Sequence, residues 1–206
     1  MIEPNVKTDF SSAVSYPEIE PSTYVHPSAV VIGNVRLGKN ILVSPTASIR
    51  GDEGQPIYIG DDSNVQDGVI IHALETENEG RLIMENSFEV AGARYAVYIG
   101  CSVSLAHQVQ VHGPAVIGDD TFVGMKSLVF KSRVGRGCVL EPCVMLMGVE
   151  VSDGRYVPAG SFVKTQDDAD RLPLITDEYS MKDMNRNVVR VNRELARAYL
   201  LREQNE

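Results

Sequence analysis

The feature that most constrains this chain is an aliphatic residue at every sixth position. Three blocks carry it: Val25, Val31, Leu37, Val43 and Ile49; Ile59, Val65 and Ile71; and Ile99, Leu105, Val111, Ile117, Val123 and Val129. A second small or aliphatic residue usually follows four positions later, with Gly, Asn and Asp nearby. A short inward-facing strand and a turn in every repeat are typical of a hexapeptide β-helix with three flat faces per coil. The sequence therefore predicts an all-β solenoid.

Two interruptions of the repeat are expected to leave the coil at its edge. Between Ile49 and Ile59 the spacing is ten, so residues 51–56 contain a bulge of four extra residues. A longer acidic loop runs over residues 75–95. Long insertions in a solenoid often carry function, and a solvated acidic loop without function is the alternative.

Three segments follow from this pattern. Residues 1–22 are expected to form an irregular N-terminal leader, and residues 23–165 the β-helix with its acidic loop. Residues 166–206 are expected to be a C-terminal helical segment. Its apolar residues at helical spacing are Val188, Val191, Leu195, Tyr199 and Leu200. We expect this α-helix to close the open end of the solenoid, because an uncapped coil exposes a sheet edge.

Composition excludes several partners. The 206-residue chain has a net charge of -9 and no basic patch, which argues against nucleic acid. No apolar run approaches the ~20 residues of a membrane span. The first residues lack the apolar core of a secretion signal, so a cytoplasmic protein is expected, although a mature form without its leader would look the same. Three cysteines do not make a disulfide framework.

Two histidines are predicted to stack in neighbouring coils. The segment Ile57-Tyr-Ile-Gly60 matches Val97-Tyr-Ile-Gly100, so the six-residue frame continues across the acidic loop. His72 then falls beneath His112, and both side chains point outward, because each follows an inward-facing residue. Stacked strands lie ~4.8 Å apart. The two imidazoles are therefore expected within reach of a single metal ion.

A third histidine, His107, is expected to complete the site from another copy of the chain. It stands at a corner five residues before His112, and five residues of extended chain cover far more than a shared ion allows. A closed trimer would bring His107 of one subunit to His72 and His112 of the next. Three neutral imidazoles with an open fourth position are the arrangement of a catalytic zinc site. A plain surface position is the alternative for each histidine, and it is our interpretation of His26.

Two carboxylates stand where the insertions begin. Glu53 is three residues after Arg50, and Glu75 is three residues after His72. Both positions normally point into the coil, where an unpaired carboxylate is costly to bury. We therefore expect the chain to turn both carboxylates toward the histidines, and ordinary loop acids are the alternative.

The same frame places three further residues around the histidines. Arg50 precedes His72 in the outward column, and Phe130 follows His112. Asp67 lies beneath His107, where it either holds that histidine or pairs with Arg50 of a neighbouring chain. A corner Asp in a turn is the equal alternative.

Five segments resemble the γ-class carbonic anhydrases. They are Ser48–Gly54, Asn64–Gly68, His72–Glu75, Ser104–His107 and Val111–Pro114. The resemblance covers roughly residues 20 to 205. It implies a left-handed β-helix, a homotrimer, and a metal ion at each subunit interface held by His72 and His112 of one chain and His107 of another.

The resemblance also implies roles for other residues. It assigns Glu53 and Gln66 to the active-site pocket and Glu75 to proton transfer. Asn192 matches a pocket residue that the C-terminal helix supplies. Two departures concern product binding and proton release: Arg190 replaces a tyrosine of the family prototype, and the acidic loop is one residue shorter.

The implied activity is that of a metal-dependent lyase, a carbonate dehydratase. A divalent ion on three neutral histidines lowers the pKa of bound water to about 7, so metal-bound hydroxide is available to attack carbon dioxide and form bicarbonate. Glu75 is then a candidate proton shuttle, and Glu53 with Gln66 could orient hydroxide or bicarbonate. Histidine-only sites accept Zn²⁺, Fe²⁺ or Co²⁺.

Two other functions remain open from the sequence. A hexapeptide-repeat acyltransferase uses the same scaffold with one interfacial histidine as a base, but three convergent histidines argue against it. An inactive γ-carbonic-anhydrase-like assembly subunit is the other alternative. Loss of a ligand histidine or of Glu53 would favour it, and neither is lost here.

Overall fold

The chain folds into a parallel β-helix of three sheets. The structure is a computed structural model that describes residues 1–205. Face 1 consists of β1 (Ile2–Glu3), β4 (Val30–Gly33), β7 (Ser48–Gly51), β10 (Ile70–His72), β17 (Gln110–His112), β20 (Leu128–Phe130), β23 (Met145–Met147) and β26 (Phe162–Val163).

The other two sheets each have seven strands. Face 2 consists of β2 (Glu18–Ile19), β5 (Val35–Leu37), β8 (Ile57–Ile59), β15 (Val97–Ile99), β18 (Ala115–Ile117), β21 (Arg133–Val134) and β24 (Glu150–Val151). Face 3 consists of β3 (Tyr24–Val25), β6 (Leu42–Val43), β9 (Asn64–Val65), β16 (Ser104–Leu105), β19 (Phe122–Val123), β22 (Val139–Leu140) and β25 (Tyr156–Val157). Successive coils pair in parallel, as the sequence predicts.

The residues of the six-residue repeat form the core. Ile49, Ile59 and Ile71 are fully buried, as are their counterparts in the other coils. Burying an isoleucine side chain contributes about 1.5–3 kcal/mol, so the stacked columns are the main source of stability. Gly60 stands at a corner where coils approach closely, since a Cβ there would lie 2.7 Å from the carbonyl carbon of Gly100.

The N-terminal leader is more regular than the sequence indicates. Ile2 pairs with Val31 and extends face 1 by one strand, and Glu18 pairs with Arg36 on face 2. These two-residue strands carry no repeat of their own. They form because the open backbone edge of the first coil offers hydrogen bonds, and no side-chain pattern in the sequence predicts this pairing.

The acidic loop lies between β10 and β15 and is built from two antiparallel hairpins. These are β11 (Glu77–Asn78) with β12 (Arg81–Leu82) and β13 (Phe88–Val90) with β14 (Ala93–Tyr95), joined by a 3₁₀ turn at Met84–Asn86. Thr76 ties the loop to the bulge below it. Its hydroxyl donates to the carbonyl oxygen of Glu53 at 2.8 Å and accepts from the backbone N–H of Gln55 at 2.6 Å. The two insertions therefore leave the same edge of the coil.

The C-terminal segment contains α1 (Gln166–Asp170) and α2 (Met184–Glu203). The expectation that the long helix closes the end of the solenoid is wrong: α2 lies along face 3 against β3, β6, β9 and β16. Its buried residues are Asn185, Val189 and Ala196, and Tyr199 stacks on Tyr24 with ring centroids 4.9 Å apart. The short α1 instead packs on the last coil, against β24 and β26.

The apolar stripe of α2 is wider than face 3 can cover. Val191 and Leu195 remain 45% and 41% exposed.

Among the described residues, no helix has the length and apolar character needed to cross a membrane.

Candidate active site

His72 and His112 stand side by side on the outer surface of face 1. They are Cα partners in β10 and β17, and their ring centroids lie 5.5 Å apart. The preceding residues, Ile71 and Val111, are buried, which turns both imidazoles outward. The predicted register is confirmed. The two rings are held close together by backbone pairing between β10 and β17, and this pairing does not depend on a loop.

The immediate surroundings of His112 favour a neutral ring with a free Nε2. Its Nδ1–H donates to the carbonyl oxygen of Gly113 at 3.2 Å, and burial lowers the pKa of the imidazole. A donor partner on one ring nitrogen fixes the other as the acceptor or metal ligand. Gly113 is required beside it, because a Cβ there would lie 2.4 Å from the carbonyl oxygen of Ala96.

Carboxylates of the bulge surround His72. Its Nε2 lies 3.1 Å from Asp52 Oδ1 and 3.4 Å from Glu53 Oε1. The hydrogen bond to His72, helped by Arg50, lowers the pKa of Asp52 to about 2. Burial, opposed by His72, raises the pKa of the Glu53 carboxyl. The bulge therefore places one firmly ionised and one more easily protonated carboxylate beside the same imidazole.

Sequence reasoning missed Asp52 as a site residue. The signal was available, because Asp52 lies between Arg50 and Glu53 in the bulge that was expected to turn toward the histidines. In the structure its side chain joins Arg50 to His72. Arg50 itself lies in the outward column, one coil from His72, as the frame predicts.

Glu53, whose carboxylate lies beside His72, and Glu75 both line a cavity of about 380 Å³. Glu75 is exposed, and its carbonyl oxygen accepts a hydrogen bond from Asn86 Nδ2 at 2.7 Å. Asp9 and Phe10 of the leader form another wall. The leader residues were not foreseen, because nothing in their spacing connects them to the repeat.

His107 belongs to a second half-site, at the corner that follows β16 on face 3. Its Nδ1 lies 3.1 Å from Asp67 Oδ2, which makes Nδ1 the donor and leaves Nε2 free. Within one chain Asp67 therefore holds this histidine, and a pair between Asp67 and Arg50 of a neighbouring chain stays a prediction. His107, Gln66 and Asn192 line a cavity of about 580 Å³ between face 3 and α2.

Two amides of this second half-site are held in place. Gln66 is buried, and its Nε2 donates to Asn64 Oδ1 at 2.9 Å, which leaves Gln66 Oε1 as an acceptor. Asn64 Nδ2 donates in turn to Ser104 Oγ. Asn192 Nδ2 donates to the carbonyl oxygen of Val188 at 2.9 Å, within its own helix.

The predicted site residues thus fall into two half-sites of one chain. His72, His112, Glu53 and Glu75 gather at face 1 and the bulge. His107, Gln66 and Asn192 gather at the corner of face 3. Within residues 1–205, His107 contacts neither His72 nor His112.

The donor atoms of these half-sites suit a divalent metal ion. His107 and His112 each use Nδ1 as a donor, so Nε2 carries the lone pair that a metal requires. His72 Nε2 faces two carboxylates, and ligand atoms of Asp52, Glu53 and His72 lie within 4.8 Å of one another. Arg50 Nη2 lies 3.4 Å from the same nitrogen, so a metal ion at His72 Nε2 would displace both the proton shared with Asp52 and the guanidinium of Arg50.

Solved structures share the fold of this chain. A hexapeptide transferase family protein from Anaplasma phagocytophilum superposes with a TM-score of 0.68 at 20% identity, covering 96% of this chain and 97% of that one. A Bacillus cereus structure described as a putative acetyltransferase gives a TM-score of 0.66 at 18% identity, with 90% and 92% covered. These similarities show the left-handed hexapeptide β-helix and confirm the predicted fold class.

Sequence relatives are more specific. No family model matches the chain. A carbonic anhydrase of Methanosarcina thermophila is 56% identical over 199 residues, which cover 96% of this chain and 81% of the relative. The carboxysome assembly protein CcmM of a Nostoc species is 39% identical over 193 residues, but that match covers 94% of this chain and only 33% of CcmM. The chain therefore belongs to the γ-class carbonic anhydrase family.

Proposed function

We propose that this protein is a carbonic anhydrase that hydrates carbon dioxide reversibly to bicarbonate at interfaces between the subunits of a homotrimer. The observation that carries the proposal is the division of one site into two half-sites, His72 with His112 on face 1 and His107 with Gln66 at the opposite side of a corner. A second copy of the chain supplies what each half lacks. The Methanosarcina thermophila relative, at 56% identity, supports the reaction.

Exposed apolar side chains support assembly next to both half-sites. On face 1, Ile70 is 45% exposed and Phe162 is 49% exposed, in the outward column beside the histidines. On α2, Val191 and Leu195 line the cavity of His107. Exposed apolar side chains clustered beside a site often mark a protein interface. Burial of face 1 of one chain against the His107 corner of the next would cover both patches together.

The metal ligands in this proposal are His72 and His112 of one subunit and His107 of its neighbour. Zn²⁺, Fe²⁺ and Co²⁺ all suit three imidazoles. Such an ion, when bound, lowers the pKa of a coordinated water to about 7 and so supplies the nucleophile at neutral pH. Asp67 holds the ring of His107, and Gly113 holds that of His112.

Other residues of the chain position the reactants and remove the proton. Glu53 Oε1 lies 3.4 Å from His72 Nε2. A molecule bound next to His72 Nε2 would therefore also contact the carboxylate of Glu53. Gln66 presents Oε1 from the second half-site, and Asn192 lines the same cavity. Glu75 shares a cavity with Glu53 and is exposed, so it can pass a proton from the site to solvent.

The two alternatives have less support. The similarity to acetyltransferase structures is below 25% identity and bears on the fold alone. The relative CcmM is named as a carboxysome assembly protein, which suggests an assembly role for this chain as well. The match, however, covers only 33% of CcmM. The sequence retains the three predicted ligand histidines together with Glu53 and Glu75, which favours catalysis.

A hydration assay combined with metal analysis tests the proposal. Anaerobically purified trimer should contain about one divalent ion per chain, because a closed trimer has one interface per subunit. It should accelerate carbon dioxide hydration, and His112→Ala should lose ion and activity together. A metal-loaded trimer that does not accelerate hydration would contradict the proposed function.

A further inference from the structure

The part of the bulge that carries Glu53 lies outside the regular sheets. β7 ends at Gly51 and β8 begins at Ile57, so residues 52–55 belong to none of the three faces. The carboxylate of Glu53 nevertheless lies 3.4 Å from His72 Nε2. Contacts other than strand pairing must therefore hold the backbone of these residues in place.

Thr76 supplies most of that anchoring. Its N–H and its hydroxyl both donate to the carbonyl oxygen of Glu53, at 3.0 and 2.8 Å. The same hydroxyl oxygen accepts the N–H of Gln55 at 2.6 Å. In the described chain, the backbone of this part of the bulge forms one other hydrogen bond, in which Asn34 Nδ2 donates to the carbonyl oxygen of Gly54 at 3.0 Å. One threonine therefore fixes the chain on both sides of Gly54.

The bulge is shaped to admit the hydroxyl of Thr76. Gly54 has a φ of +101°, and a Cβ on it would lie 2.3 Å from Thr76 Oγ1. Glycine is the residue that tolerates both this backbone conformation and so close a contact. Thr76 is fully buried, although the preceding residue, Glu75, is exposed. Thr76 is thus a buried anchor at the base of an exposed loop.

We propose that Thr76 is a positioning residue, which holds Glu53 beside His72 for the hydration reaction. The inference rests on the proposed function. Thr76 acts through the main chain, because its hydroxyl bonds the carbonyl group of Glu53 and the N–H of Gln55. With both groups held, the Cα of Glu53 and the direction of its side chain are fixed. A displacement of ~1 Å in an active site can cost about 100-fold in rate, so this anchor bears directly on catalysis.

Steady-state kinetics of two variants of the metal-loaded trimer test the assignment. Thr76→Val keeps the shape of the side chain and removes its hydroxyl, whereas Thr76→Ser keeps the hydroxyl. Thr76→Val should lower kcat/KM for carbon dioxide by about 10-fold with metal content unchanged, and Thr76→Ser by less than about 2-fold. Imidazole should not restore the loss, because proton release follows the attack step. A loss confined to kcat and restored by imidazole would place Thr76 on the route of Glu75 and overturn the inference.

A double variant shows whether the effect passes through Glu53. Added to Glu53→Gln, Thr76→Val should lower kcat/KM by less than about 2-fold further, because the carboxylate that Thr76 positions is already absent. A further loss of about 10-fold, as large as in the wild-type background, would mean that Thr76 acts on another part of the site. That result would contradict the assignment.

Thr121→Val is the matched control. Thr121 is also fully buried, and its hydroxyl donates to the carbonyl oxygen of Gly135 at 2.9 Å and accepts the N–H of Cys138 at 3.2 Å. The urea midpoint of Thr121→Val should fall about as far as that of Thr76→Val, while its kcat/KM stays at the wild-type value. If both variants keep the wild-type kcat/KM, the inference is overturned while the proposed function stands. A wild-type trimer without hydration activity would overturn both.

A variant on the side of the bulge probes the same contact independently. Gly54→Ala places a Cβ against Thr76 Oγ1, so the bulge and the hydroxyl must move apart. It should lower kcat/KM by at least as much as Thr76→Val and leave metal content unchanged. A wild-type kcat/KM in Gly54→Ala would show that catalysis does not need this contact.

Hydrogen exchange gives a readout that does not depend on activity. In metal-free protein, the N–H of Gln55 should exchange faster in Thr76→Val than in wild type, because it loses its acceptor. Thr76→Ser should keep the N–H of Gln55 protected. Unchanged protection of Gln55 in Thr76→Val would show that the hydroxyl does not hold the bulge, and the inference would fail.

Discussion

His72 and His112 are direct partners in adjacent parallel strands, with ring centroids 5.5 Å apart, although the whole acidic loop lies between them in the chain. The loop leaves the coil after β10, and the frame resumes at β15 with the same register. The spacing of the two imidazoles therefore depends on backbone pairing in face 1. Changes within the acidic loop should alter proton transfer before they alter metal affinity.

The inward and outward positions of the repeat can be tested by stability. Leu37 is 2% exposed in the core, while its neighbour Arg36 points outward and forms an exposed ion pair with Glu18. Leu37→Ala should reduce the free energy of unfolding by about 2–5 kcal/mol, and Arg36→Ala by less than about 1 kcal/mol. Urea unfolding of both variants makes the comparison. Equal losses would mean that the assigned faces of β5 are wrong.

Glu53 is predicted to act on the substrate and to leave metal binding intact. Its carboxylate lies 3.4 Å from His72 Nε2 but belongs to the bulge, outside the histidine column. Glu53→Gln should lower kcat/KM for carbon dioxide on the order of 100-fold, while metal content stays near that of wild type. Metal analysis and initial-rate kinetics on the same preparation decide the matter. If metal is lost in parallel with activity, Glu53 is a ligand or a support for His72.

Glu75 is predicted to move the proton that hydration releases. Removal of a shuttle slows proton release without changing the attack step, so Glu75→Ala should lower kcat by ~10- to 100-fold and kcat/KM far less. Imidazole, a small diffusible base, should restore kcat with a saturable concentration dependence. Glu53→Ala should respond much less. Equal losses of kcat and kcat/KM, with no effect of imidazole, would show that Glu75 shapes the pocket.

Alkaline stability should depend on Tyr179, whose hydroxyl donates to Glu141 at 2.9 Å. Burial, and then this hydrogen bond, raise the pKa of Tyr179 in the folded chain. Its contribution to stability is therefore complete below about pH 10, the unfolded value, and is lost as the pH rises toward the folded pKa. Tyr179→Phe should have a flatter decline of unfolding free energy above pH 10. An unchanged alkaline slope would assign that decline to other groups.

The repeat made the fold and the register of the histidines predictable from the sequence. A period of six determines which residues stack, so His72 could be placed beneath His112 across an insertion. The position of α2 was not predictable in this way. Its apolar stripe indicates that the helix packs, but it does not distinguish face 3 from the open end of the solenoid.

The side-chain contacts made by residues outside the repeat were also missed. Asp52 joins Arg50 to His72 because the bulge folds back, and no periodicity describes a bulge. Phe10 reaches the cavity of Glu53 from a leader without a pattern of its own. His26 was assigned to another face, but α2 encloses the space between that face and His107 and so joins the two in one cavity.

The central claim is that each metal site takes His72 and His112 from one chain and His107 from its neighbour. It is tested most directly by mixing His72→Ala chains with His107→Ala chains and measuring metal content in trimers whose mixed composition is verified by mass spectrometry. Each variant alone should lack an intact site. Each mixed trimer should recover about one third of the wild-type metal, because one of the three interfaces in its closed ring combines His72 of one chain with His107 of the next. No recovery in verified mixed trimers would contradict the shared site.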